Sequence, residues 1–199
     1  MKKINILCFL FFAIILSVNA QKKVDAYYNE YFEKDFDILV AEDEKKEEYT
    51  LYLGVSAERE HREAVISIKS KDFKKSRETL IQIKEKFIEW SKIAKENNVT
   101  DMTKSMDYSL SRVTVAWYGS KWFFAFNQTL RPTFSIMTDG RNIIFFTKKV
   151  TASSNEYIDE EIYWAFLTPE EIDIIISWLD AGKIKKLMDS EKNKKDLFQ

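Results

Sequence analysis

Cysteine and histidine are almost missing from this chain. Its 199 residues include one Cys and one His. Cys8 lies inside an apolar run near the N-terminus, and His61 lies in a charged stretch. Zinc sites draw mainly on Cys and His, so the residue list nearly excludes them. A His-dependent general base or nucleophile relay would have to use His61, which has charged neighbours rather than an apolar pocket. Glycine and proline are scarce too, at 4 and 2 residues. Four isolated glycines cannot build a phosphate loop or a dinucleotide turn. There is no Gly-x-Ser-x-Gly nucleophile elbow. With 45% hydrophobic and 15% aromatic residues, the chain is neither collagen-like, low-complexity nor fully disordered. Charge of one sign is lacking as well. The 31 basic and 32 acidic residues leave a net charge of -1, with no whole-molecule pull toward nucleic acid.

What is present begins with an address. Lys2 and Lys3 precede the unbroken apolar run Ile6–Leu16, and Val18-Asn19-Ala20 places compact residues before Gln21. This is the three-part pattern of a secretory signal peptide, lysine-led in a bacterial style. The run is shorter than the ~20 apolar residues that span a bilayer, so cleavage is expected rather than an uncleaved anchor. Leu7 before Cys8 speaks against a lipid-modified N-terminus. Export to the periplasm or beyond is therefore expected. Cleavage would leave 29 basic and 32 acidic residues and no cysteine. An exported chain without disulfides must rely on its core, and ~150 residues suffice for that. No second segment is long and apolar enough to span a membrane.

Four parts are expected: a signal peptide (1–20), an acidic lead-in (21–48), one α+β domain (49–190) and a frayed polar tail (191–199). In the lead-in, Tyr27, Tyr28, Tyr31 and Phe32 recur at roughly helical spacing and predict a short amphipathic helix. Ile38-Leu39-Val40 suits the start of a strand, and residues 42–48 a solvated loop. Tyr49–Val55 and Val65–Ile68 predict a β-hairpin. Leu80, Ile83, Phe87, Trp90 and Ala94 form a helical stripe over 71–97, with Ser70 placed to cap it. Five strands should follow as an antiparallel meander: Ser111–Tyr118, Lys121–Asn127, Thr133–Thr138, Asn142–Val150 and Glu161–Leu167. Gly119-Ser120 and Asp139-Gly140 are turn signals, and 153–159 reads as the longest loop. Thr168-Pro169-Glu170-Glu171 predicts a capping box opening a last helix, with Gly182 ending or interrupting it. The fold class is thus α+β with an antiparallel sheet: N-terminal hairpin, long helix, five-strand meander, C-terminal helix.

The strand faces carry the functional argument. A half-exposed sheet should show one polar face. Lys121–Asn127 instead sets Trp122, Phe124 and Phe126 against Phe123 and Ala125. Asn142–Val150 and Glu161–Leu167 are apolar on both faces as well. Three strands therefore need two covers. The second cover is the chain's own curvature and N-terminal segment, a symmetric partner, or a small apolar ligand.

Two surfaces stand out. Trp117, Tyr118 and Trp122 flank the Gly119-Ser120 turn and form a candidate binding surface, whose rings would stack on sugars where they are not packed in the core. Glu156, Asp159, Glu160 and Glu161 form an acidic patch in a zone, 155–173, that has no basic residue and carries seven acids. That patch suits calcium, a basic partner or a two-carboxylate hydrolase, though it lacks the spacing of an EF-hand loop. Its simplest reading is a solvated loop. Helix 71–97 carries eight basic residues against five acids. The interleaved acids blunt phosphate binding, so no nucleic-acid partner is expected. Neither a cofactor nor a metal is expected. The leading expectation is an exported, non-catalytic module that binds another protein or itself, as a homodimer. A carrier of a small apolar ligand in a curved sheet comes next, and a carboxylate-dependent hydrolase after it.

Overall fold

The computed structural model describes residues 21–43, 45–58 and 63–196. The expected signal peptide and His61 lie outside the described residues. The chain is an α+β protein built on one antiparallel sheet. Its strands are β1 (Lys22–Asn29), β2 (Lys34–Asp43), β3 (Glu48–Ala57), β4 (Ala64–Lys69), β5 (Met102–Ser105), β6 (Leu110–Tyr118), β7 (Trp122–Leu130), β8 (Pro132–Ile136), β9 (Asn142–Ala152) and β10 (Asn155–Phe166). Its α-helices are α1 (Phe73–Glu96), α2 (Pro169–Trp178) and α3 (Ala181–Asp196).

The hairpin expected over 49–69 is β3–β4, and the long helix is α1. The five strands expected after it occupy their stretches as β6 to β10, but they do not form the expected five-strand meander: β6–β7 and β8–β9–β10 pair in chain order, while β7 and β8 do not pair. The main path of the sheet runs β5-β8-β9-β10-β3-β4-β6-β7. Only Arg131 separates β7 from β8, yet β7 pairs with β6 while β8 pairs with β9. One extended stretch thus serves both arms of the path, and the sheet curls round on itself. At the seam, the Ser153 N–H donates to the Phe124 carbonyl at 2.7 Å. Pro132 opens β8 at this change of partner.

The inside of the curl is packed with rings and branched side chains. Trp117, Phe134, Phe146, Trp164 and Phe166 are all buried there. Trp164 stacks tilted on Phe146 at 5.3 Å and meets Phe166 edge-on at 4.8 Å. Helix α1 delivers Leu80, Ile83 and Phe87 to this core, and Phe87 meets Phe134 at 6.1 Å.

Four further expectations need correction. The lead-in is not helical: residues 22–43 form the hairpin β1–β2, joined to β3 through Ile38↔Leu53 to Asp43↔Glu48. Alternation explains it, because Tyr27 and Asn29, then Phe36, Ile38 and Val40, are the buried positions. Only the turn residues Tyr31 and Phe32 break that period. The loop expected at 153–159 is a two-residue turn followed by β10. Ser70 does not cap α1; its hydroxyl accepts from the Tyr49 N–H at 3.1 Å and ties a 3-10 turn to β3. The tail is helical to Asp196 as part of α3, where Lys22 pairs with Glu191 at 2.7 Å. The capping box at Thr168 forms as expected.

Candidate functional site

The three strands expected to be apolar on both faces divide into two cases. On the outer face of β9 and β10, Phe145 sits opposite Ala165. The tip of the β1–β2 hairpin covers them. Tyr31 meets Phe145 at 5.5 Å, and the buried Asn29 amide donates to the Ala165 carbonyl at 2.7 Å. The Tyr27 hydroxyl donates to the Gly54 carbonyl at 2.9 Å and accepts from the Trp164 indole N–H at 2.9 Å. The Tyr27 bonds tie β1 to the inward ring Trp164, while Tyr31 and Asn29 make the hairpin tip the second cover at Phe145 and Ala165.

Strand β7 has none. Its inward residues Phe123, Ala125 and Leu130 are buried, while its outward residues are Trp122, Phe124 and Phe126. With Tyr118, which pairs with Trp122 across the β6–β7 ribbon, they form an exposed aromatic face. The exposures are 45% for Tyr118, 40% for Trp122, 43% for Phe124 and 59% for Phe126. Phe124 and Phe126 lie parallel, 6.0 Å apart and within 5°. Tyr118 and Trp122 meet edge-on at 5.6 Å and 64°. The strand itself, WFFAFNQTL, has no charged residue. The only charge on β6, Arg112, is engaged with the buried carboxylate of Asp72.

The backbone edge of β7 is closed even though its face is open. The Phe124 carbonyl accepts from Ser153, the Phe126 N–H donates to the Ser153 hydroxyl at 3.1 Å, and the Phe126 carbonyl accepts from the Gln128 amide at 2.8 Å. Capping an edge in this way blocks strand addition and leaves side chains as the means of contact.

Of the residues singled out in the sequence, Tyr118 and Trp122 belong to this face. Trp117 does not: it points into the core and packs on Phe123 at 6.0 Å. Phe124 and Phe126 were visible as an apolar face, but the sequence left open whether the chain covered it.

The acidic residues do not converge. Alternation along β10 turns the buried Glu160 to one face and Asp159 and Glu161 to the other. Asp159 pairs with Lys149 of β9 at 2.7 Å, and that contact raises the Lys149 pKa. Glu156 is exposed. Among the described residues no group of acids, His or Cys is placed to hold a metal ion. Two open volumes lie elsewhere. Two shallow grooves of about 510 and 540 Å³ run beside the C-terminal half of α1 and share Ser91, Gly140 and Asn142. None of the four acids lines them. No helix of the described residues is long and apolar enough to cross a membrane.

No protein-family model, curated protein or solved structure matches this chain.

Proposed function

We propose that the protein is an exported, non-catalytic module that binds another protein chain through the outer face of β7. The observation that carries this reading is the charge-free row Tyr118, Trp122, Phe124 and Phe126 on a strand whose backbone edge is already bonded. Exposed aromatic patches of this kind mark interaction sites. Tyr, Trp and Phe are enriched at interfaces, because large rings with few rotatable bonds bury much area at little entropic cost. The arrangement favours a dry protein contact over a sugar platform. Two of the rings are phenylalanines without a polar group, and Tyr118 stands edge-on to Trp122 rather than flat beside it.

The carrier reading needs room for a ligand inside the curl, where the rings of Trp164, Phe146 and Phe166 are packed. The hydrolase reading needs paired carboxylates in a cleft, and β10 turns its acids apart. Export rests on the N-terminal pattern Lys2-Lys3, Ile6–Leu16 and Ala20.

The test uses the full chain, tagged at its C-terminus and made in an exporting host. Mass spectrometry of the purified protein should find Gln21 as the first residue. Co-purified proteins are then compared between the wild type and a Phe124→Ser, Phe126→Ser variant. An untagged copy of the chain is made in the same cells, so that self-association is scored with the other proteins. Partners, the untagged copy included, kept by the wild type and lost from the variant are expected. Identical sets, the untagged copy retained equally and the variant folded, would overturn the docking surface.

A further inference from the structure

The same face suggests its own occupant. We propose that it is covered by a second copy of this chain, in a two-fold pair with the axis near Phe124. This rests on the reading of β7 as a docking surface and names the partner.

Area comes first. The four rings, each about half exposed, present roughly 400 Å² if a full aromatic side chain offers ~200 Å². That is about half of the ~800 Å² each partner buries in a standard interface. A patch this size forms the dry centre of such an interface, and flanking polar residues such as Thr129 can supply the rim.

Charge comes second. In a two-fold contact every group near the axis meets its own copy, so a charge there faces a like charge. A surface made to meet itself must therefore be neutral near its centre. The β7 stretch Trp122–Leu130 has no charge at all, and Arg112 on β6 is held by Asp72. The chain elsewhere is rich in charge, at 32% Asp, Glu, Lys and Arg. Among the described residues, charge close to the row lies at its Tyr118–Trp122 end, where Lys121 precedes the strand and the Glu63 carbonyl accepts from the Tyr118 N–H, and not at Phe124, where the axis passes.

Geometry comes third. Residues two apart on a strand lie ~6.7 Å apart. Phe124 is the middle of three outward rings, so an antiparallel pair about it sets Trp122 of one copy against Phe126 of the other. Both ends of the row then find a ring. The bonded edge of β7 excludes the alternative two-fold mode, continuation of the sheet from strand to strand.

The experiment replaces Phe126 with p-benzoyl-phenylalanine in the full chain, irradiates exporting cells, and identifies the adducts by mass. Ile93, exposed on α1, takes the same probe as a control. An adduct of two copies from position 126, absent from position 93, is expected. In purified protein, sedimentation velocity should show a dimer whose dissociation constant rises roughly thirtyfold or more with Trp122→Ser. These side chains are exposed, so the variants should fold; thermal unfolding checks it. Adducts only with a different protein would overturn the self-pair and leave the docking surface standing. No adduct at position 126 would overturn both, and equal self-adducts from position 93 would reduce the pairing to collision.

Discussion

At the scale of single residues, two side chains hold positions that ordinary propensity would not assign. Tyr27 is buried, and its hydroxyl links the Trp164 indole to the Gly54 carbonyl. Burial pushes its pKa well above the usual tyrosine value, against a smaller opposing effect of the Trp164 bond. The folded state therefore keeps this proton at pH values where the unfolded chain has lost it. That contribution is complete below pH ~10, and stability falls above it by up to ~1.4 kcal/mol per pH unit. Tyr27→Phe should cost about 1–3 kcal/mol at neutral pH, because it leaves a buried indole N–H without its acceptor. The same variant should lose part of the alkaline fall. Urea unfolding at neutral and alkaline pH measures both. Arg112 is the second case. It sits in β6 at a register shift with φ of 61°, in the left-handed region that only glycine enters freely. Its partner Asp72 is buried at the start of α1. Arg112→Ala should cost about 2 kcal/mol by leaving that carboxylate unpaired. Arg112→Gly loses the same pair but relieves the backbone, so it should be about 1 kcal/mol more stable than the alanine variant. In an ordinary strand position glycine would be the worse of the two.

At the scale of elements, the sequence was most legible where a local rule acts alone. The stripe from Leu80 to Ala94 and the Thr168–Glu171 box specify α1 and the start of α2 without help from the rest of the chain. The hairpin β1–β2 was illegible for the opposite reason. Tyr27, Tyr28, Tyr31 and Phe32 mimic a helical period only when the turn residues are counted with the strand. What makes 22–43 a hairpin is tertiary: β3 offers an edge, and β10 offers an apolar outer face. Glu171 joins these elements. One carboxylate oxygen accepts from the Glu30 N–H at 2.9 Å; the other accepts from Leu167 at 2.6 Å and Thr168 at 3.0 Å. The sequence shows its capping role but not its hold on the hairpin tip, 141 residues away. Glu171→Ala strands three buried or half-buried donors and should cost about 3 kcal/mol or more. Hydrogen exchange should quicken at the Glu30 amide and at the first turn of α2 together. A change confined to α2 would break the proposed link.

At the scale of the whole molecule, strand alternation correctly announced more apolar sheet face than the helices could cover. It could not say which strand would be left open, because that depends on where the β1–β2 tip lands. The tip reaches Phe145 and Ala165 but not β7. The two faces are chemically similar, so their difference in cover should appear as a difference in stability. Phe32→Ser at the hairpin tip, where Phe32 packs on Phe36 at 5.9 Å, should cost about 2–3 kcal/mol at any protein concentration. Phe126→Ser on the open face should change the stability of the dilute chain by less than about 0.5 kcal/mol. A self-pairing face adds one more signature. Binding that is specific to the folded state stabilises it by mass action, so wild-type stability should rise with protein concentration. The gap between wild type and Phe126→Ser should then widen as the chain is concentrated, while the gap to Phe32→Ser stays constant so long as both chains pair alike. Urea midpoints at two concentrations roughly a hundredfold apart measure both gaps. For a two-fold pair the wild-type midpoint tracks the dimer's dissociation constant; for a lone chain all three midpoints stay where they are.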